Sequence, residues 1–102
     1  MEVILTGEPL SVERAYGLGL VNQVVAPGEE IAAAIALAEK IALAAPMAVA
    51  ASRRVILASA YLTDEELIAM TNKEFAPILR SGDTKEGLTA FIEKRAPQWK
   101  GR

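Results

Sequence analysis

Between Ile31 and Ala45 the chain carries only two charged side chains, Glu39 and Lys40. Ile31, Ala34, Ile35, Ala38, Ile41, Ala42 and Ala45 recur at helical spacing and make one apolar face. The opposite side, with Ala33, Ala36, Leu37 and Leu43, is nearly as poor in polar groups. A helix apolar almost all round demands burial on more than one side. A chain of 102 residues builds only a modest core, so this helix, expected from about Glu29 to Ala45, predicts a partner surface. It is not a membrane span, because Ile31 to Ala51 is mostly alanine and is broken by Glu39, Lys40 and Pro46.

Four further helical segments flank it. Ser11 is a candidate N-cap for a short helix, Val12 to Tyr16, that Gly17 and Gly19 end. Leu20 to Val25 reads as an extended piece, closed by a turn at Pro27-Gly28. Pro46 suits a helix start, and the segment from Met47 to about Tyr61 carries a small-residue stripe, Ala48, Ala51, Val55, Ala58 and Leu62, fit for close helix approach. Thr63 and Glu66 have capping-box spacing at the head of the next helix, which Pro77 should kink or stop. After a break at Ser81-Gly82, Asp83 and Glu86 repeat that spacing. The last helix carries Leu88, Phe91 and Ile92, with Gly87 either weakening it or marking tight packing. Pro97 is expected to end it, leaving Gln98 to Arg102 as a polar tail. The expected fold class is all-α: about five helices with one short extended segment, in one domain over residues 1–102.

With no cysteine and no histidine, disulfides, thiolate sites and imidazole chemistry are excluded. No phosphate-loop or dinucleotide glycine pattern is present. Glu29-Glu30 and Asp64-Glu65-Glu66 belong to first helical turns, where acids complement the dipole. Arg53-Arg54 reads as a solvated or ion-paired face. The charge is uneven: residues 1–79 hold 5 basic and 10 acidic side chains, residues 80–102 hold 6 and 3. No helix presents a basic face for DNA. Lys94-Arg95 with Lys100 and Arg102 could contact an anion such as a phosphate. Composition alone makes Phe75 and Phe91 core residues more often than ligand contacts. No signal peptide is visible, and the expected location is the cytoplasm, with an organelle matrix as the alternative.

Three stretches, in order, resemble the enoyl-CoA hydratase/isomerase (crotonase) family. Met1-Glu2-Val3-Ile4-Leu5-Thr6-Gly7 is similar to its ME-hydrophobic-hydrophobic-LTG element. Ser11-Val12-Glu13-Arg14-Ala15-Tyr16-Gly17-Leu18-Gly19-Leu20-Val21-Asn22-Gln23-Val24-Val25 is similar to its SAxEAxxxGLVNxVV element. Ser81-Gly82-Asp83-Thr84-Lys85-Glu86-Gly87, followed by Ala90-Phe91-Ile92-Glu93-Lys94-Arg95, resembles its S-x-D-x-x-E-G and A-F-x-E-K-R signature, with Pro97, Trp99 and Lys100-Gly101-Arg102 fitting the usual C-terminus.

The resemblance implies the family's C-terminal helical trimerisation domain, with Met1 matching an internal methionine and Met1 to Leu5 forming the tail of a helix stopped at Gly7. The family's spiral core, with its oxyanion-binding amides and two glutamates, would lie outside these residues. No catalytic residue and no metal ligand is therefore assigned here, and the isolated chain is expected to be inactive. Phe75 and Phe91 match positions where the family places aromatics around the acyl-CoA, and Lys94 matches the lysine at the adenosine phosphate. Lys94 is expected on the last helix, three residues beyond Phe91 and on the same face. Coenzyme A enters as part of the substrate, with no separate cofactor. Expected partners are acyl-CoA and either further copies of the chain or a separate N-terminal core chain, with no nucleic acid and no membrane. Two alternatives remain: a free-standing, non-catalytic helical oligomerisation module, or the C-terminal half of a split enzyme.

Overall fold

A computed structural model describes residues 2–102; Met1, and with it the expected internal-methionine match, lies outside the described residues. Six helices follow in order: α1 (Glu2–Thr6), α2 (Val12–Gly17), α3 (Glu30–Ala42), α4 (Pro46–Ala58), α5 (Asp64–Leu79) and α6 (Gly82–Glu93). The fold is all-α, with no strand among the described residues. Leu20–Val25 lies between helices and joins no sheet. The chain divides into two compact units, residues 1–37 and 38–102.

In the first unit, α1 ends where Gly7 takes φ +69° and its N–H donates to the Val3 carbonyl at 3.0 Å. A positive φ costs glycine little, which is why the helix stops there. The Ser11 hydroxyl accepts from Arg14 N at 3.3 Å and caps α2. An exposed ion pair joins Arg14 to Glu2 at 3.2 Å. Pro27-Gly28 makes the expected turn, with Glu29 N–H donating to Ala26 O at 3.1 Å. Glu29 precedes α3 rather than opening it, and the Glu30 carboxylate reaches back to Gly28 N–H at 3.2 Å. The helix ends at Ala42, three residues short of expectation.

The second unit begins in α3 and contains α4 to α6. Pro46 opens α4, and α4 packs on α5. The small-residue stripe faces inward: Ala51 is buried, and Ala48, Val55 and Ala58 are half-buried. The Arg54 Nε–H donates to Glu74 Oε2 at 3.1 Å, tying the two helices and holding the Glu74 carboxyl below its ordinary range. Thr63 and Glu66 form the expected capping box at the start of α5: Thr63 N–H donates to Glu66 Oε2 at 2.8 Å, and Glu66 N–H to Thr63 Oγ1 at 3.4 Å. Pro77 stays inside α5, which runs two residues further to Leu79. A proline in the last turn forfeits one helical bond without breaking the helix.

Among the described residues, the only buried apolar side chains are Ala51 and Ala90. Buried Leu, Ile or Phe side chains would each supply about 1.5–3 kcal/mol, and this chain fully buries none of those described. Ile31 is 76% exposed, and Ile35, Ile41 and Leu43 also stand open. No described helix is long and apolar enough to cross a membrane.

Candidate functional site

Helix α6 is capped by Ser81, not Asp83. The Ser81 hydroxyl accepts from Thr84 N at 3.2 Å and donates to Ile78 O at 2.7 Å, linking α5 to α6. Asp83, expected as a capping acid, is instead 3% exposed. Its two carboxylate oxygens accept from Lys100 N at 2.7 Å and Gly101 N at 2.8 Å. Glu86, the other half of the expected box, turns to the same segment. It accepts from Gln98 N at 2.7 Å and from both terminal nitrogens of Arg95, at 2.6 and 3.1 Å. The Arg95 guanidinium, then the Gln98 amide, hold the Glu86 carboxyl down at about 2. Arg95 also donates through Nε to Glu93 at 2.6 Å, and both acids push its pKa up.

Residues 98–102 are therefore a docked segment rather than a loose polar tail. Trp99 Nε1–H donates to Leu43 O at 2.8 Å, across 56 positions of sequence. Its ring lies against Gly87, where a Cβ would stand 3.2 Å from Cη2. This is the tight packing that Gly87 signalled. Arg102 O accepts from Gly82 N at 2.9 Å. Asp83 and Glu86 sit three positions apart, on one side of a helix. That spacing puts both carboxylates beside one strap of chain.

The strap begins with a reversal. Helix α6 stops at Glu93, before Pro97 can act. Lys94 takes φ 53° and ψ 40°, and among the described residues it is the one non-glycine at positive φ. Its N–H donates to Phe91 O at 3.3 Å, and Arg95 N–H to Ala90 O at 3.0 Å. This is the helix-closing motif that normally uses glycine. Lys94 therefore lies beyond the helix, and the expectation that it shares a helical face with Phe91 fails. The left-handed residue breaks the i, i+3 periodicity on which that expectation rested.

The three expected substrate contacts are only partly gathered. Phe91 and Lys94 are neighbours through the backbone bond just given, and Phe91 is 84% exposed. Phe75 belongs to a different place, an open groove of about 320 Å³ between α4 and α5 lined also by Ala51, Val55, Ile56 and Ile78. At 50% exposure Phe75 is not core either. The compositional reading of both rings as core is corrected, because the flanking helices leave these faces uncovered. Of the basic cluster, Arg95 is consumed by two acids. Lys94 forms no ion pair among the described residues. No described group of acids comes together to hold a metal ion.

The whole chain, residues 1–102, matches the family described as enoyl-CoA hydratase/isomerase. A carnitinyl-CoA dehydratase of Salmonella typhi is 38% identical over 105 residues, covering 99% of this chain and 40% of that protein. A probable mitochondrial enoyl-CoA hydratase of Dictyostelium discoideum is 38% identical over 99 residues, covering 97% and 36%. Among solved structures, an enoyl-CoA hydratase from Mycobacterium tuberculosis matches with a TM-score of 0.94 at 46% identity, covering 100% of this chain and 40% of that one. One from Bacillus anthracis matches at 0.92 and 35%, covering 99% and 39%. The chain thus spans about two fifths of the length of these relatives, and it belongs to the enoyl-CoA hydratase/isomerase family.

Proposed function

We propose that these residues are the C-terminal, oligomerising and CoA-contacting part of an enoyl-CoA hydratase/isomerase that acts in fatty acid metabolism in the cytoplasm. The observation that carries the reading is the match of the entire chain to about two fifths of an enoyl-CoA hydratase. The local chemistry supports it. The chain's strongest polar groups, Asp83, Glu86 and Arg95, are spent on internal bonds. Each is engaged within the chain rather than left free to act as acid or base.

Hydration of a 2-enoyl-CoA needs donors for the thioester oxyanion and carboxylates to handle water and proton. In this reading both come from the spiral core. These residues supply Phe75 and Phe91 as apolar walls for the acyl-CoA and Lys94 for its phosphate. The exposed apolar face of α3 serves subunit packing.

The test follows loss of conjugated-thioester absorbance in a 2-enoyl-CoA. Two samples are compared: the chain alone, and the chain mixed with the N-terminal three fifths of an enoyl-CoA hydratase. The chain alone should show no turnover, since even one missing oxyanion donor costs about 10²–10³ in rate. The mixture should show turnover. Activity of the chain alone, or no association between the two pieces, would overturn the reading.

A further inference from the structure

We propose that Glu86 and Arg95 are positioning residues that lock Lys94 in its left-handed backbone conformation and thereby fix where its ammonium points. The inference rests on the reading of Lys94 as a contact for the anionic end of an acyl-CoA. It adds how the chain aims that side chain.

A lysine at φ 53° is held against its own preference, because a Cβ in this region crowds the following carbonyl. Glycine would take the position without that strain. Such a conformation persists where the surroundings over-determine it. Here they do so on both sides. Behind Lys94, the helix end is closed by its own N–H to Phe91 O and by Arg95 N–H to Ala90 O. Ahead of it, the Arg95 guanidinium is forked onto Glu86 and bonded to Glu93. It also donates to Ala96 O at 3.1 Å. Glu86 then holds Gln98 N–H at 2.7 Å. Glu86 thus anchors both the residue after Lys94 and the start of the strap, at Gln98, to α6. A fork of two parallel bonds fixes orientation as well as distance. Lys94 is left as the exposed apex, its ammonium outside the network that holds its backbone.

Carbon chemical shifts of Lys94 report its backbone angles directly, and the full 102-residue chain is the sample. In Arg95→Gln and Glu86→Gln, the Lys94 Cα and Cβ shifts should leave the left-handed range and move toward the coil average. Lys94→Gly should keep the Gln98 amide shift of the wild type, because glycine suits the bend. Titration with coenzyme A, followed by amide shifts at millimolar ligand, supplies the second reading. Affinity should fall about two- to fivefold in all three variants, as suits one exposed charge contact. Should either Gln variant lose the fold, charge reversal through Glu93→Lys, which leaves Glu86 intact, should move the Lys94 shifts less than Arg95→Lys does. Left-handed Lys94 shifts in both Gln variants would overturn the positioning role. Altered shifts together with wild-type coenzyme A affinity in Lys94→Gly would instead overturn Lys94 as a CoA contact, while the backbone lock would stand.

Discussion

Along residues 81–102, Ser81, Asp83, Glu86 and Arg95 each find a polar partner inside the chain, and so do the backbone N–H groups of Gln98, Lys100 and Gly101. Along α3 the reverse holds: the helix is closed by its own backbone bonds, yet Ile31, Ile35, Leu37 and Ile41 stand open to solvent. Hydrogen bonds are short and directional, so a helix and a strap a few residues away can complete one another. Apolar burial scales with area, and one more surface of comparable size is needed before a helix apolar all round is covered. The polar groups of the first region are satisfied within these residues, although Leu88, Phe91 and Ile92 remain exposed. The apolar face of the second has no cover within them. The family signature at the end of the chain accordingly does its visible work in folding, with Asp83 and Glu86 as the two clasps.

The largest effect is expected at Asp83. Asp83→Ala removes the charged acceptor of the Lys100 and Gly101 amides at a part-buried site. Bonds to a charged group are worth about 1.5–3 kcal/mol each, so a loss of about 3 kcal/mol is expected. Urea unfolding measures it, and a loss below about 1 kcal/mol would place the strap's stability elsewhere.

The open side is tested next. The wild-type chain should self-associate through its apolar helix. Ile31→Glu with Ile35→Glu, one turn apart on one face, should raise the dissociation constant about tenfold, equivalent to ~1.4 kcal/mol. Sedimentation over a concentration series reads this directly. A wild-type chain that stays monomeric at high micromolar concentration would remove the partner surface from the account.

Acid gives a smaller and sharper contrast. The folded-state pKa of Glu86 is depressed from 4.5 to about 2 by Arg95 and the Gln98 amide. Its contribution is therefore present above the unfolded value and lost as pH falls through the folded one. The midpoint difference between wild type and Glu86→Gln should be full at neutral pH, shrink below 4.5 and vanish near 2. Thermal melts across that window check the sign. A difference that does not change with pH would mean that the pair contributes by shape alone.

Local signals were legible in the sequence and distant ones were not. The Thr63–Glu66 box, the Pro27-Gly28 turn and the inward stripe of α4 depend on residues within a few positions of one another. Asp83 and Glu86 carry the same spacing as a capping box, yet their partners lie in the strap, 9 to 18 positions ahead. Spacing alone cannot tell an acid that caps from one that clasps. Trp99 reaching Leu43 is more distant still. The bend at Lys94 had no sequence cue, because the motif ordinarily advertises itself with glycine. Phe75 and Phe91 defeated composition for a different reason: their exposure depends on a covering surface that these residues do not supply. The candidate contacts rest on resemblance, and the network that holds Lys94 is visible only in the folded structure.

If two carboxylates of α6 hold the strap, amide hydrogen exchange of the wild-type chain shows it directly. The Lys100 and Gly101 amides sit 2.7 and 2.8 Å from Asp83, and the Gln98 amide 2.7 Å from Glu86. All three should exchange about tenfold or more slowly than in an unstructured peptide. Asp83→Ala should release Lys100 and Gly101 while Gln98 stays protected. Peptide-like exchange at all three amides in the wild type would contradict the clasp.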